Sequence, residues 1–195
     1  MPVVSPGPSD TAQRILDIAE RLVQTQGFNA FSYADIAAEL RITKASLHYH
    51  FATKAALGSQ LIARYSENFQ QALEAIDREE SDARQKLRRY AELYARALRK
   101  DRMCLCGMLA SDYATLPKPM KEGVRRFFDD NEVWLARLLE DGRRARTLRF
   151  TGPAGEVART LIASFEGAML VARSYGDAGR FDSAANRMVA QLDGK

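Results

Sequence analysis

The chain has 195 residues, of which 46% are hydrophobic and 28% are charged, and this ordinary globular balance excludes a disordered or collagen-like protein. Its two cysteines, Cys104 and Cys106, are too few for the disulfide framework of a small secreted protein. The net charge of +4 suggests an acidic partner, but residues 1–60 carry five basic and five acidic side chains. The basic excess therefore lies in residues 61–195, and the net charge alone does not identify the partner.

The start of the chain indicates neither a membrane anchor nor a signal peptide. No run of 18 apolar residues occurs anywhere, and residues 1–9 carry no positive charge ahead of their Pro, Gly and Ser residues. We therefore expect a cytoplasmic protein with no membrane partner and with a loose tail over residues 1–9.

Helical periodicity dominates the sequence and strand alternation is scarce, which predicts an all-α chain. A first helix, capped by Ser9 or Asp10, is predicted to end at Gly27. Its apolar face consists of Ile15, Ile18, Ala19, Leu22 and Val23. Two short helices follow, residues 33–40 and 44–51, and only about three residues join them.

A longer fourth helix is predicted over residues 53–76, where Leu57, Leu61, Tyr65 and Phe69 recur at steps of four. Further periodic segments, separated by Gly and Pro, are residues 81–101, 103–115, 118–146, 153–176 and 180–193. The composition changes near residue 52. We therefore predict a small N-terminal unit, residues 10–52, and a larger helical unit, residues 53–195.

Two short helices with a tight turn, supported by a longer preceding helix, are typical of a helix-turn-helix, whose second helix enters the DNA major groove. Residues 28–37 (FNAFSYADIA) and 42–57 (ITKASLHYHFATKAAL) resemble the signature of the TetR family of transcriptional regulators. This resemblance runs through residues 12–62. It implies a DNA-binding unit over residues 10–52, and a ligand-binding and dimerisation unit over residues 53–195.

The resemblance also assigns sides to the motif. Its buried residues are expected to be Leu40, Ile42, Leu47 and Phe51. The candidate DNA contacts are Ser32, Tyr33, Lys44, Ala45, Ser46, His48, Tyr49, His50 and Lys54. Among these, Lys44 can donate a hydrogen bond to a guanine edge or to a phosphate. The small side chain of Ala45 leaves room for the helix to approach the DNA closely.

Specific roles follow from the family pattern. Tyr49 and His50 resemble an aromatic-plus-His pair that donates to phosphates, while Lys54 and the start of the fourth helix would hold another phosphate. Ser32 and Tyr33 would reach the flanking DNA backbone. Taken singly, each residue could equally be solvated or packed, so the assembled motif carries the inference. The two histidines are two residues apart and do not share a helical face, so we expect no metal site.

Cys104 and Cys106 begin a predicted helix and point to nearly opposite sides, which disfavours both a mutual disulfide and a shared ion. One interpretation is that at least one is a small buried apolar residue. The alternative is a redox-active thiolate, stabilised by the helix start and by Lys100 or Arg102. That alternative resembles the electrophile sensors of the same family, in which case Cys106 is the preferred reactive thiol.

The larger unit is rich in aromatic residues, most of which must form its core. In the family the corresponding helices enclose an inducer cavity, so some of these residues are candidates for ligand binding. The candidates are Tyr94, Cys106, Tyr113, Trp134, Phe165 and Glu166. The last two helices mix small and large apolar residues, which fits either internal packing or, as the family implies, a homodimer interface.

No Gly-rich phosphate loop, metal spacing or convergent nucleophile and base is present, so neither an enzyme nor a bound cofactor is expected. The sequence favours a ligand-responsive regulator, a repressor that binds a palindromic double-stranded DNA operator as a homodimer and is released by a small-molecule inducer or an electrophile. The alternative is a helical small-molecule binding protein whose motif no longer reads DNA.

Overall fold

The computed structural model describes residues 10–193, and in this part of the chain it is an all-α protein, as predicted. The helices are α1 (Asp10–Gln26), α2 (Tyr33–Leu40), α3 (Lys44–His50), α4 (Lys54–Glu79), α5 (Ala83–Leu98), α6 (Leu105–Ser111), α7 (Lys118–Arg144), α8 (Ala154–Ser174) and α9 (Gly179–Ala190). The predicted tail over residues 1–9 lies outside the described residues.

The largest departure from the predicted elements is at residues 103–115. Instead of one helix, this segment forms α6 followed by a separate 3₁₀ turn, Tyr113–Thr115. The break is explained by Asp112, whose carboxylate accepts a hydrogen bond from the backbone N–H of Phe28 at 2.8 Å. This bond anchors the end of α6 to the loop after α1.

The N-terminal unit is a three-helix arrangement in which α1 packs on α2, and α2 packs on α3. Ile15, Ala19 and Val23 are fully buried along one side of α1, as its apolar spacing predicts. Leu47 of α3 and Ile36 of α2 are also fully buried. This shared core holds the two short helices in place.

In the C-terminal unit, α7 packs against α4, α5, α6 and α8, and α9 packs against α5 and α8. The interior is filled by buried aromatic side chains. Tyr90, Phe165 and Phe181 are among its largest fully buried residues. Because α4 also contacts α1, a single continuous helix joins the two units.

Within residues 10–193, no helix is both long enough and apolar enough to cross a bilayer.

Candidate DNA-binding surface

The turn between α2 and α3 is shaped by local hydrogen bonds at its helix ends. Ser32 caps α2: its Oγ accepts from the N–H of Ala34 at 3.2 Å, and its own N–H donates to Asp35 at 2.7 Å. Arg41 ends α2 in the left-handed region with φ of 56°. Thr43 then caps α3 by accepting from the N–H of Ser46.

The resulting α3 presents most of the predicted DNA contacts to solvent. Lys44, Ala45, His48 and Tyr49 are exposed, and the Tyr49 side chain is 87% accessible. Ser46 and His50 are half-buried, and the Leu47 side chain between them is fully buried. The structure therefore gives α3 a buried side and an open side, which is the arrangement that a recognition helix needs.

Tyr33, which was expected at the DNA backbone, is instead part of the internal structure of the motif. Its ring is buried against His48, with 4.8 Å between the ring centroids, and its hydroxyl donates to the carbonyl of Phe51 at 2.8 Å. Burial raises the pKa of Tyr33 to about 12. The hydroxyl thus fixes the end of α3, and we leave Tyr33 out of the proposed DNA contacts.

Lys54 departs from expectation in the same way. Its ammonium donates to the carbonyls of Phe28 and Phe31 and lies over both phenyl rings, 4.6 and 4.1 Å from their centroids. Burial lowers the pKa of this lysine, while Asp112 and Asp35 oppose that shift. Lys54 therefore holds the loop between α1 and α2 to the start of α4, and its ammonium is not available to a phosphate in this structure.

One exposed cation at the reading surface was missed in the sequence. Arg41 is exposed at the tip of the turn, and no ion pair engages it among residues 10–193. In the sequence it could have been recognised as a basic residue directly before Ile42 and Thr43, the two residues that precede α3. We add Arg41 to the candidate phosphate contacts.

The geometry agrees with two family models. The model for "Bacterial regulatory proteins, tetR family" matches residues 15–61, and the model for "Tetracyclin repressor-like, C-terminal domain" matches residues 83–188. The chain belongs to the TetR family. Members of this family are non-enzymatic transcriptional regulators, so the family supports the expectation that the chain is not an enzyme.

Solved TetR-family structures match almost the whole chain. A regulator from Agrobacterium tumefaciens is 32% identical with a TM-score of 0.92, covering 96% of this chain and 100% of its own. One from Legionella pneumophila is 31% identical with a TM-score of 0.86, covering 95% and 98%. Reduced NemR from E. coli is 23% identical with a TM-score of 0.80, covering 94% and 97%, and shows the shared fold alone. No curated protein matches at a significant level.

In this TetR-family chain, the two units meet at the C-terminal end of α1. The guanidinium of Arg173, on α8, donates to the carbonyls of Gln24 and Thr25. Gln24 also pairs with Met103: the N–H of Met103 donates to the Gln24 carbonyl at 3.1 Å, and the Gln24 side chain donates to the Met103 carbonyl at 3.0 Å. These bonds satisfy carbonyls that α1 itself leaves without a partner.

A second contact joins α1 to α4. Arg64, on α4, donates to Asp17 and Glu20 of α1 at 2.7 Å each, and its side chain is largely buried. Together with the Arg173 and Met103 bonds, this ion pair holds α1 at both its middle and its end. We call these three contacts the α1 junction.

Three predicted ligand residues lie together in the filled aromatic core. Tyr94 and Phe165 are buried with 5.7 Å between their ring centroids, and the hydroxyl of Tyr94 shares a 3.0 Å hydrogen bond with that of Tyr90. Trp134 stacks on Tyr90 and donates to Asp77 at 2.9 Å. Every one of these polar groups has a partner inside the protein.

Tyr113 does not join this group. It lies on the 3₁₀ turn after α6, its side chain is 45% exposed, and the ammonium of Lys121 lies 5.0 Å from its ring centroid. Its neighbours in the chain contact the DNA-binding unit, since Thr115 accepts a hydrogen bond from Asn29 at 2.8 Å. The position of Tyr113 does not support its predicted role in the ligand site.

The two cysteines and Glu166 form a second buried group. Cys104 caps α6, and both thiols are buried. Burial raises the pKa of each thiol well above its usual value, and the Glu166 carboxylate raises it further. This environment disfavours the alternative of an activated thiolate, because burial opposes the charge that the helix start would stabilise. The interpretation of buried packing residues applies to both cysteines.

Glu166 itself is the unusual member of this group. Burial raises its pKa to about 7, while a hydrogen bond from Cys104 opposes that shift. One carboxyl oxygen is buried without a hydrogen-bond partner, and the carboxyl approaches Gly107 so closely that a Cβ there would lie 2.2 Å from it. A buried carboxyl with an unpaired oxygen favours its protonated form.

We predict that Glu166→Gln stabilises the protein at pH 8. Between about pH 4.5 and 7 the folded chain keeps a proton on Glu166 that the unfolded chain has already released. The free energy of unfolding therefore falls as pH rises through that window. The variant avoids this loss, and its advantage over wild type should grow from pH 5 to pH 8 by roughly 2–3 kcal/mol. Urea unfolding at one fixed protein concentration measures it.

The control for this prediction is Glu67→Gln, which removes an exposed carboxylate from α4. It should leave the pH dependence of wild type unchanged. A Glu166→Gln variant whose unfolding free energy follows that of wild type at both pH values would contradict the buried, proton-binding carboxyl.

Proposed function

We propose that this TetR-family regulator is a ligand-responsive repressor, which binds a palindromic operator as a homodimer and is released by a small molecule. The observation that carries the proposal is the open face of α3, where Lys44, Ala45, His48 and Tyr49 are all exposed beside a fully buried Leu47. Four exposed side chains on a capped, well-packed short helix support DNA reading, and they disfavour the alternative of a motif that has lost it.

Within this face the residues have different chemistry. Lys44 lies in the first turn of α3, where the residues of a recognition helix contact base edges. Tyr49 and His50 lie at the other end of α3, where they suit phosphates. The Nδ1 of His48 lies 3.1 Å from the carbonyl of Ala52, which leaves its Nε2 for the groove.

We predict that Lys44→Ala and Tyr49→Ala both weaken operator binding but differ in kind. If Lys44 reads a base, its loss costs about 1–3 kcal/mol and relaxes the preference at one position of the operator. Loss of a Tyr49 phosphate contact should weaken all sequences alike and reduce the salt dependence. Titration of both variants against a panel of single-base operator changes measures the difference.

Lys118→Ala is a matched control, because Lys118 is an exposed lysine at the start of α7. It should bind the operator like wild type. If both α3 variants bound every sequence with wild-type affinity, while remaining folded by circular dichroism, the proposed reading face would be refuted.

The homodimer is supported by an apolar surface on α8. Leu170 and Val171 on α8, and Tyr175 directly after it, are 58%, 54% and 63% exposed, so large apolar side chains lie together on the surface. Ala163 and Gly167 continue this surface toward the start of the helix, and small residues allow two helices to approach closely. We infer that a second copy of the chain covers this surface, through α8 and α9.

We predict that Leu170→Glu converts the dimer into a monomer. A carboxylate on this apolar surface would be buried without a partner in the dimer, and the cost of removing it from water opposes association. Light scattering at micromolar concentration measures the mass. The control is Val133→Glu, which places the same charge on an exposed apolar site of α7.

The Val133→Glu variant should remain a dimer. A wild-type protein that is monomeric at this concentration, or a Leu170→Glu variant that stays dimeric, would contradict the proposed interface.

Of the two expected inputs, a small molecule fits the structure better than an electrophile. Both thiols are buried and their raised pKa keeps them protonated, whereas an electrophile reacts with an accessible thiolate. Release of the operator then requires a ligand that binds more tightly to a dimer state in which the two α3 helices are spaced wrongly for the DNA groove. The α4 helix, the α1 junction and the contacts of Asp112 and Thr115 connect the two units, so such a change would pass through these contacts.

A further inference from the structure

A groove of about 240 Å³ opens beside the α1 junction, between α1, α4, α5 and the turn that follows α5. It contains none of the residues for which a ligand role was expected. Its lining includes Gln24, Tyr65, Phe69, Arg96, Lys100 and Arg102. Residues of both units thus contribute to one small recess.

The floor of the groove is aromatic. Tyr65 and Phe69 are half-buried on α4, with 6.2 Å between their ring centroids. Each also packs on Phe127 from α7, at 5.5 and 5.2 Å, which fixes the two rings from behind. A fixed, partly open pair of rings suits a flat apolar ligand.

The rim of the groove is cationic. Lys100 is exposed and Arg102 is half-buried, and within residues 10–193 neither forms an ion pair. Arg96 adds a third positive charge, partly balanced by Glu92 at 3.2 Å. The lining also includes the acidic Glu20, whose charge is neutralised by Arg64. The unpaired charges therefore suit a carboxylate.

The wall that α1 contributes holds an unsatisfied acceptor. Gln24 is only 4% exposed, and its side-chain nitrogen is committed to the carbonyl of Met103. Its Oε1 is buried with no hydrogen-bond partner. Leaving a buried acceptor unpaired costs free energy, so a ligand gains if its entry opens this oxygen to a hydroxyl or N–H donor.

We propose that this groove binds the effector, and that the effector is a small aromatic carboxylate with a hydrogen-bond donor. The ring lies on Tyr65 and Phe69, the carboxylate is held by Lys100 and Arg102, and the donor serves Gln24. The volume lies below the roughly 300–1,000 Å³ typical of pockets for larger ligands, which suits a ligand of one ring. The effector role rests on the proposed function; the binding site does not.

A ligand in this groove touches both units at once. Gln24 belongs to α1 and pairs with Met103, whereas Tyr65 and Phe69 belong to α4. A ligand that binds one separation of α1 from α4 more tightly than another shifts the protein toward the separation that it prefers. That difference is what coupling to DNA binding requires.

Calorimetry with 4-hydroxybenzoate tests the site, because this probe has one ring, a carboxylate and a hydroxyl donor. A ligand of this size should bind wild type with a dissociation constant on the order of 0.1–1 mM. The neutral amide of the same shape, 4-hydroxybenzamide, should bind at least about tenfold more weakly, because it lacks the charge.

Amino-acid substitutions test whether 4-hydroxybenzoate binds in this groove. Lys100→Gln with Arg102→Gln should weaken 4-hydroxybenzoate binding by about tenfold or more. The matched control is Lys118→Gln with Arg125→Gln, which removes the same charge from the exposed side of α7 and should bind like wild type. Ala72→Phe, which fills the groove without changing charge, should abolish binding while the melting temperature confirms the fold.

No binding of 4-hydroxybenzoate to wild type, or equal affinity in the two double variants, would overturn the proposal. Titration with operator DNA distinguishes a failure of the groove proposal from a failure of the proposed function. If the ligand-free protein binds no DNA, the proposed function fails while calorimetry still decides the groove. If the probe binds in the groove but leaves operator affinity unchanged, the site remains and its effector role is overturned.

Discussion

The end of α1 is the constraint on which the two-unit structure depends. A helix leaves its last carbonyls without partners, and here the C-terminal unit supplies them through Arg173 and the backbone of Met103. The DNA-binding unit therefore lies where these donors can reach α1. Arg64 and Asp112 add contacts on either side, so the position of α3 is fixed by the larger unit as well as by its own core.

The filled aromatic interior of the larger unit contrasts with the open groove beside the α1 junction. Tyr90, Tyr94 and Phe165 fill the centre of the bundle, and the Tyr90 and Tyr94 hydroxyls pair with each other. Glu166 lies in the same region, and burial raises its pKa to about 7, so this carboxyl is mostly protonated below that pH and mostly charged above it. The unpaired basic side chains of Lys100 and Arg102 and one unsatisfied oxygen, that of Gln24, lie beside α1, whereas the unsatisfied oxygen of Glu166 lies in the interior.

The sequence predicts the fold well because its signals are local. Ser32 and Thr43 cap the helices that their positions indicated, and the apolar spacing of α1 gives its buried face. The roles of Tyr33 and Lys54 could not be predicted in this way, since each depends on carbonyls that only the folded unit brings near. The burial of both Cys104 and Cys106 could not be predicted in this way either, because it depends on packing from distant helices.

Operator binding by an Arg173→Met variant tests the central claim most directly, since methionine keeps an apolar stem but cannot donate to the end of α1. DNA selected by the wild-type protein from a random pool provides the operator, and an isolated half-site provides the comparison. We expect amide exchange in α2 and α3 to stay as in wild type, half-site affinity to be retained, and full-operator affinity to fall. Wild-type affinity for the full operator would contradict the claim that the α1 junction sets the position of α3.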